Sequence, residues 1–267
     1  MTTVTNRTAT PAAVEPTAST RRYHSTTRRL LTTELRLLSR DPLTLTFVLV
    51  FPIVTMLIIG GAFGTDPDPA FAGQNPSHWY VASYFTVVIA STGLVMLPVH
   101  LAAYRERGVI RRFAAAGFPR WSFALAEMVI GLATIAVAGA VLLVVAAPVY
   151  GIPSVHHAGR VIAGLGFGSI GFVSIGVLLG SLLPSARAAQ AVGLMLFFPS
   201  FLLGAGGPPP HVMGSALRHV ADVLPLTWVT KSIREPWLGI GTATPALIAV
   251  AGLAVVATYV AVRRTAL

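Results

Sequence analysis

Six long runs of apolar residues constrain the fold of this chain more than any other feature. The runs cover residues 43–64, 79–101, 122–150, 161–183, 188–204 and 243–262. Five of them contain no Asp, Glu, Lys or Arg, and the third contains one acid, Glu127. A helix needs about 20 apolar residues to cross the hydrocarbon core of a bilayer, and a backbone in lipid must satisfy its own hydrogen bonds. The sequence therefore predicts an all-α integral membrane protein with six transmembrane helices.

The composition excludes several other classes of protein. Hydrophobic residues make up 54% of the 267 residues and charged residues only 10%, whereas soluble domains carry about 25% charged residues. A water-soluble globular protein is therefore excluded. The chain contains no cysteine, which excludes disulfide scaffolds, thiolate metal sites and cysteine nucleophiles.

Basic residues lie mostly on one side of the six predicted spans. If the spans cross in order, one side holds only Arg160, Arg218, Lys231 and Arg234, and the other side holds the remaining 15 of the 19 basic residues. Cytoplasmic segments carry such an excess, so we expect a multi-pass protein of the bacterial plasma membrane with both termini in the cytoplasm. The net charge of +10 then reflects topology, and we expect membrane lipids rather than nucleic acid as partners.

The first 41 residues carry two predicted features ahead of the spans. Residues 1–25 are rich in Thr, Ala and Pro, and we predict a disordered cytoplasmic tail followed by a six-span domain over residues 26–267. Within 26–41, Leu31, Leu35 and Leu38 recur at helical spacing opposite arginines. This pattern predicts an amphipathic helix at the membrane interface, although a simple charged flank is the alternative.

The segment after the second span combines charge with an apolar stripe. Residues 104–121 contain five arginines and one acid, Glu106, while Val109, Ile110 and Phe113 are spaced for one helical face. We predict a short cytoplasmic helix that docks on a partner. The alternative is a positively charged loop that only sets the topology.

The long segment between the fifth and sixth spans is apolar enough to lie partly in the membrane. In residues 205–242, Leu226, Val229, Ile233 and Trp237 share one helical face. This spacing predicts two short re-entrant helices in the outer leaflet, with a surface loop as the alternative.

Motifs for chemistry within the chain are missing. A phosphate-binding loop needs a G-x-x-x-x-G-K-[ST] sequence, but the single lysine, Lys231, follows Thr230. We therefore expect neither catalytic residues nor a bound cofactor. The adjacent His156 and His157 do not form a metal-ligand pattern, so no metal site is predicted. Glu127 lies near the start of its span, where pairing with Arg112 or Arg120 competes with a transport role.

Glycines in the fourth span are spaced for close helix packing. Gly164, Gly168 and Gly171 recur at intervals of four and three residues, and Gly176 and Gly180 form a G-x-x-x-G pair. Small residues at such spacing let helices approach closely in membranes. We predict helix packing as their role.

Three sequence features together resemble a known family. These are the amphipathic helix before the first span, the Arg105-Glu-Arg-Gly-Val-Ile-Arg-Arg112 segment and the Leu224-Pro-Leu-Thr-Trp228 segment. Their order around six spans resembles the type-2 exporter permeases of ABC transporters. The resemblance implies a connecting helix at 26–41, a coupling helix around 106–118 that includes Glu106 and Gly108, and paired outer re-entrant helices.

The resemblance also implies the functional setting. Six spans would form half a pore, completed by a second permease copy or a paralogue, and an ABC ATPase subunit dimer would bind the ATP and Mg. We expect a non-enzymatic permease that exports apolar or amphipathic substrates such as drugs or lipids. The alternatives are a polysaccharide-exporting permease, or a non-transporting membrane-embedded enzyme or anchor.

Overall fold

The computed structural model describes residue 42, residues 46–115 and residues 120–266. The predicted tail 1–25 and the predicted interfacial helix with Leu31, Leu35 and Leu38 lie outside these residues. Across the described ranges the secondary structure is helical, apart from an isolated bridge between Asp68 and Gln74. The all-α membrane fold predicted from the sequence is confirmed.

Nine helices form the framework of the described residues, which also contain two short 3-10 helices, Pro69–Phe71 and Pro210–Val212. We number them α1 (Thr46–Ala62), α2 (Pro76–Glu106), α3 (Val109–Ala115), α4 (Arg120–Tyr150), α5 (Ala158–Leu182), α6 (Ala186–Ala205), α7 (Ser215–Val223), α8 (Pro225–Leu238) and α9 (Thr244–Ala266). Five of these, α2, α4, α5, α6 and α9, contain segments long and apolar enough to cross a membrane. The shorter apolar helix α1 occupies most of the first predicted run.

Helix α2 extends beyond its predicted span 79–101 at both ends. It begins at Pro76, where the Asn75 side chain accepts a hydrogen bond from the Ser77 amide (2.8 Å). Asn at the cap and Pro in the first turn are favourable at a helix start. At its other end α2 continues through charged residues to Glu106. Hydropathy alone therefore underestimates its length.

A π-helical stretch, Ser91–Met96, interrupts α2 near its middle. There the backbone of α2 lies against α5: a Cβ atom added to Gly176 would be 2.4 Å from the Gly93 carbonyl oxygen. A Cβ atom on Gly93 would meet the Phe172 carbonyl oxygen at 2.5 Å. Glycine at both positions allows the two backbones to touch.

Helix α5 packs against several neighbours through its glycines. The nearest residues to the five predicted packing glycines are Ser232 for Gly164, Val229 for Gly168, Ala254 for Gly171, Gly93 for Gly176 and Leu101 for Gly180. These neighbours belong to α2, α8 and α9. In contrast, α4 and α9 expose apolar side chains such as Val144 and Val255, as a surface against lipid requires.

The segment between α6 and α9 forms a helical hairpin, α7–α8. The four residues predicted to share a face, Leu226, Val229, Ile233 and Trp237, are all buried. Helix α8 packs on α5, α9 and α2. The two predicted short helices are therefore present, with the apolar face of α8 turned into the protein.

Candidate functional site

Arg105, near the C-terminal end of α2, binds the C-terminal end of α5. The Arg105 guanidinium donates hydrogen bonds to the carbonyl oxygens of Gly180 (3.1 Å), Ser181 and Leu183 (3.2 Å). The last carbonyls of a helix have no partner within it, and the negative end of the helix dipole favours a cation. Arg105 therefore caps α5 from a different helix.

The next residue, Glu106, holds the start of α6. Its Oε2 atom accepts a hydrogen bond from the Ala186 amide (3.2 Å). Ser185 caps the same helix by accepting from the Ala188 amide (3.2 Å). Glu106, predicted from the sequence as a coupling residue, thus has a donor within its own chain. Below, the corner means Arg105, Glu106 and the two helix ends to which they bind.

Gly108 makes the turn that follows the corner. Its φ is +70°, a conformation that costs side-chain-bearing residues energy but suits glycine. Its amide donates to the Arg105 carbonyl (3.0 Å), and α3 begins at the next residue. The Arg-Glu-Arg-Gly segment therefore combines two helix-end contacts with a left-handed turn.

Helix α3 contains the three residues predicted to form an apolar docking stripe, Val109, Ile110 and Phe113. Ile110 packs on the protein's own cluster of Leu101, Ala124 and Val177. Val109 is half-buried. Phe113 belongs to α3, but its side chain lies outside the part of the chain that the structure describes. Arg111 and Arg112 are exposed. The solvent-facing side of α3 is thus basic.

At the far end of α2, Arg234 of α8 is buried. It is 5% exposed, and its guanidinium carbon lies 3.7 Å from the ring centroid of Trp79. Burial lowers the pKa of Arg234 to about 10, while Glu235 acts in the opposite direction, so the guanidinium stays protonated at neutral pH. Sequence reasoning treated Arg234 only as a topological charge. The predicted apolar face with Ile233 and Trp237 did not indicate that Arg234 is itself buried.

A family model described as ABC-2 type transporter matches residues 26–236. The match covers most of the chain and both regions described above. The chain belongs to the ABC-2 type transporter family. Comparisons with curated proteins and with solved structures gave no significant match.

Membership of this family defines the general role of the chain. An ABC-2 permease is the membrane component of an ABC transporter and is not itself catalytic. The family also implies association with an ABC ATPase. The multiple apolar helices agree with a multi-pass membrane protein.

A row of aromatic side chains crosses this ABC-2 permease from α1 to the start of α2. Successive ring centroids lie 5.6 to 6.3 Å apart, within the range of favourable aromatic pairs. We call this row the aromatic ladder; it consists of Phe47, Phe51, Phe197, Phe201, Tyr84, Tyr80, Phe71 and Trp79. It ends directly beneath Arg234.

The structure also describes two other residues that the sequence analysis considered, Glu127 and His156. Glu127 is buried in the first part of α4 at 3% exposure. The His156 ring and backbone amide both lie at hydrogen-bond distance from the Trp237 carbonyl (3.1 and 3.2 Å), which ties the loop before α5 to α8. Within the described ranges, no group of three or more His, Cys, Asp or Glu is placed to hold a metal ion.

Proposed function

We propose that this permease exports apolar or amphipathic molecules, such as drugs or lipids, from the cytoplasm. The observation that carries this proposal is the aromatic ladder. Most of its rings are buried within the chain, but Phe47 and Phe51 of α1 are half-buried, so this end of the ladder presents aromatic surface. Such surfaces suit planar or hydrophobic substrates.

The proposed energy source is a dimer of ABC ATPase subunits that docks on α3. Exposed Arg111 and Arg112 provide a basic surface there. The corner connects the same region to α5 and α6. Movement of α3 would therefore reach three spans through short contacts. A second permease copy or a paralogue would complete the pore.

A transport assay tests this proposal. The full-length chain is purified from its native membranes, and any co-purifying ABC ATPase is identified and co-expressed with it. Inside-out vesicles should then accumulate a fluorescent amphipathic dye or a fluorescent phospholipid only with ATP. Vesicles with an ATPase variant that lacks its phosphate-binding lysine serve as the control. Equal uptake in both preparations would contradict the proposal.

A matched pair of variants tests the role of the ladder. Phe51→Leu removes a half-buried ladder ring but keeps an apolar side chain, and Phe167→Leu makes the same change at an exposed position of α5. Aromatic contacts are worth about 0.5–1.5 kcal/mol, so uptake of an aromatic dye should fall roughly two- to tenfold only for Phe51→Leu. Equal uptake by both variants would remove the ladder from the route.

A further inference from the structure

A cavity at the far end of α2 contains buried polar groups that the proposed transport route does not use. It lies between the end of α6, the α7–α8 hairpin and the start of α2. We call it the hairpin cavity, and its principal lining residues are Trp79, Gly204, Arg218, Asp222, Thr227 and Arg234. Because α2 and α6 are spans and both have an end here, the cavity lies at the level of a membrane surface.

Arg234 brings a buried positive charge to this cavity. Its Nη1 atom donates to the Ser83 hydroxyl (3.3 Å), and its Nε atom is buried without a hydrogen-bond partner among the described residues. No carboxylate in those ranges forms an ion pair with it. A buried charge is costly unless it is paired, so the guanidinium is suited to an anionic partner from outside the chain.

Thr227 adds a second buried group to the same cavity. Its side chain is 5% exposed, and its hydroxyl has no hydrogen-bond partner in the part of the chain that the structure describes. Buried polar atoms are nearly always hydrogen-bonded in folded proteins. Thr227 and Arg234 therefore offer donors from one helix to one small space.

The remaining charges leave the cavity positive. The Asp222 carboxylate also lines it, but this carboxylate accepts a hydrogen bond from Lys231 Nζ (2.7 Å) and is neutralised by that ion pair. Arg218 is exposed beside it. The lining therefore holds two arginines and one aspartate, and that aspartate is already paired with Lys231, which favours an anion.

Helix α7 indicates the source of that anion. Leu217, Val220 and Val223 expose more than half of their surface on this short helix, next to Arg218. An amphipathic helix with exposed apolar residues and a cation beside them is typical of a surface that lies among lipid headgroups.

We propose that the hairpin cavity binds the phosphate of an anionic lipid headgroup. Arg234 contacts the phosphate from the buried side, the Thr227 hydroxyl donates to it, and Arg218 closes the rim. Guanidinium groups bind phosphate through paired, charge-assisted hydrogen bonds. Apolar residues of α7 contact the acyl chains of the same lipid.

The test uses the full-length chain purified in dodecyl maltoside, without any ATPase. Dioleoyl phosphatidylglycerol, dioleoylglycerol and inorganic phosphate are added separately, and thermal unfolding and lipid retention in native mass spectrometry are measured. Phosphatidylglycerol should raise the melting temperature and remain bound. Dioleoylglycerol, which has the same chains without phosphate, should do neither. A stabilisation by inorganic phosphate that phosphatidylglycerol does not reproduce would contradict a lipid source.

Variants locate the bound lipid. Arg234→Gln and Arg218→Gln should each weaken retention of phosphatidylglycerol, by about tenfold for the buried Arg234. Arg160→Gln is the matched control, because Arg160 bonds to Thr242 and Thr244 outside the cavity. If Arg234→Gln does not fold, Arg218→Gln and Thr227→Val carry the test. Equal retention by these variants and the control, or equal stabilisation by dioleoylglycerol, would overturn the proposal. This experiment does not measure transport, so neither result bears on the export proposal, which the vesicle assay tests separately.

Discussion

Arg105 and Glu106 are neighbours in sequence but bind opposite ends of two different helices. Arg105 donates to the last carbonyls of α5, and Glu106 accepts from an amide in the first turn of α6. Each charge matches the helix dipole that it meets, the cation at a C-terminus and the anion at an N-terminus. This pair of contacts fixes the loop between α5 and α6 to the end of α2.

Removal of Arg105 should loosen this corner. Arg105→Ala leaves three carbonyls without their donor, so we expect a loss of stability of roughly 1 kcal/mol, since the site is exposed. Thermal unfolding in detergent measures it. Arg107→Ala is the control, because Arg107 is an exposed arginine two residues further along the chain. Equal melting temperatures for the two variants would show that the Arg105 contacts contribute nothing to stability.

An added methyl group should separate α2 from α5 at their closest approach. Gly176→Ala would place a Cβ atom 2.4 Å from the Gly93 carbonyl oxygen, and overpacking of this kind costs about 1–3 kcal/mol. Gly166→Ala lies on the same helix with open space around it. We expect a lower yield of monodisperse protein in size-exclusion chromatography for Gly176→Ala alone. Similar profiles would mean that the helices shift apart without cost.

Two apolar residues of α3, Ile110 and Phe113, should respond differently to truncation. Ile110→Ala removes a contact within the protein, so it should lower stability by roughly 1–2 kcal/mol, less than full burial would cost. Phe113→Ala should instead weaken association with the ATPase about tenfold if that ring fills a partner groove, which is worth about 1.5–3 kcal/mol. Melting temperature and ATPase pull-down, compared at equal amounts of folded permease, separate the effects. Full association of Phe113→Ala would remove Phe113 from the docking surface.

The orientation in the membrane can be measured directly because the chain has no native cysteine. An impermeant thiol reagent applied to intact cells should label Ser215→Cys but not Ala115→Cys or Thr5→Cys. Ser215 and Ala115 are both exposed in the structure, so access to the reagent depends on the side of the membrane. Labelling of Ala115→Cys alone would reverse the predicted topology.

Sequence reasoning succeeded where long patterns carry the information. The apolar runs located the spans, and the spacing of Leu226 to Trp237 identified the buried face of α8. It was less informative where one residue's role depends on distant parts of the chain. Apart from its place in the Arg-Glu-Arg-Gly segment, Arg105 counted only as a positive charge, because the carbonyls that it caps lie 75 to 78 residues away.

The docking stripe on α3 shows the same limit. Helical spacing placed Val109, Ile110 and Phe113 together, but spacing cannot state which neighbour a face meets. Ile110 meets residues from α2, α4 and α5 that are brought together by the bundle. Arg234 is similar, because its burial depends on direct contacts with Trp79 and Ser83 of α2.

The π-helical stretch Ser91–Met96 determines how the two ends of α2 are rotated relative to each other about the helix axis. A π turn holds more residues than an α turn, and one additional residue shifts everything beyond it by about 100° around the helix axis. With that offset Trp79 faces Arg234 at one end while Arg105 faces α5 at the other. Deletion of one residue from this stretch would keep both Trp79 and Arg105 in the sequence. It would rotate one end of α2 relative to the other, so the two residues could no longer contact Arg234 and α5 at the same time.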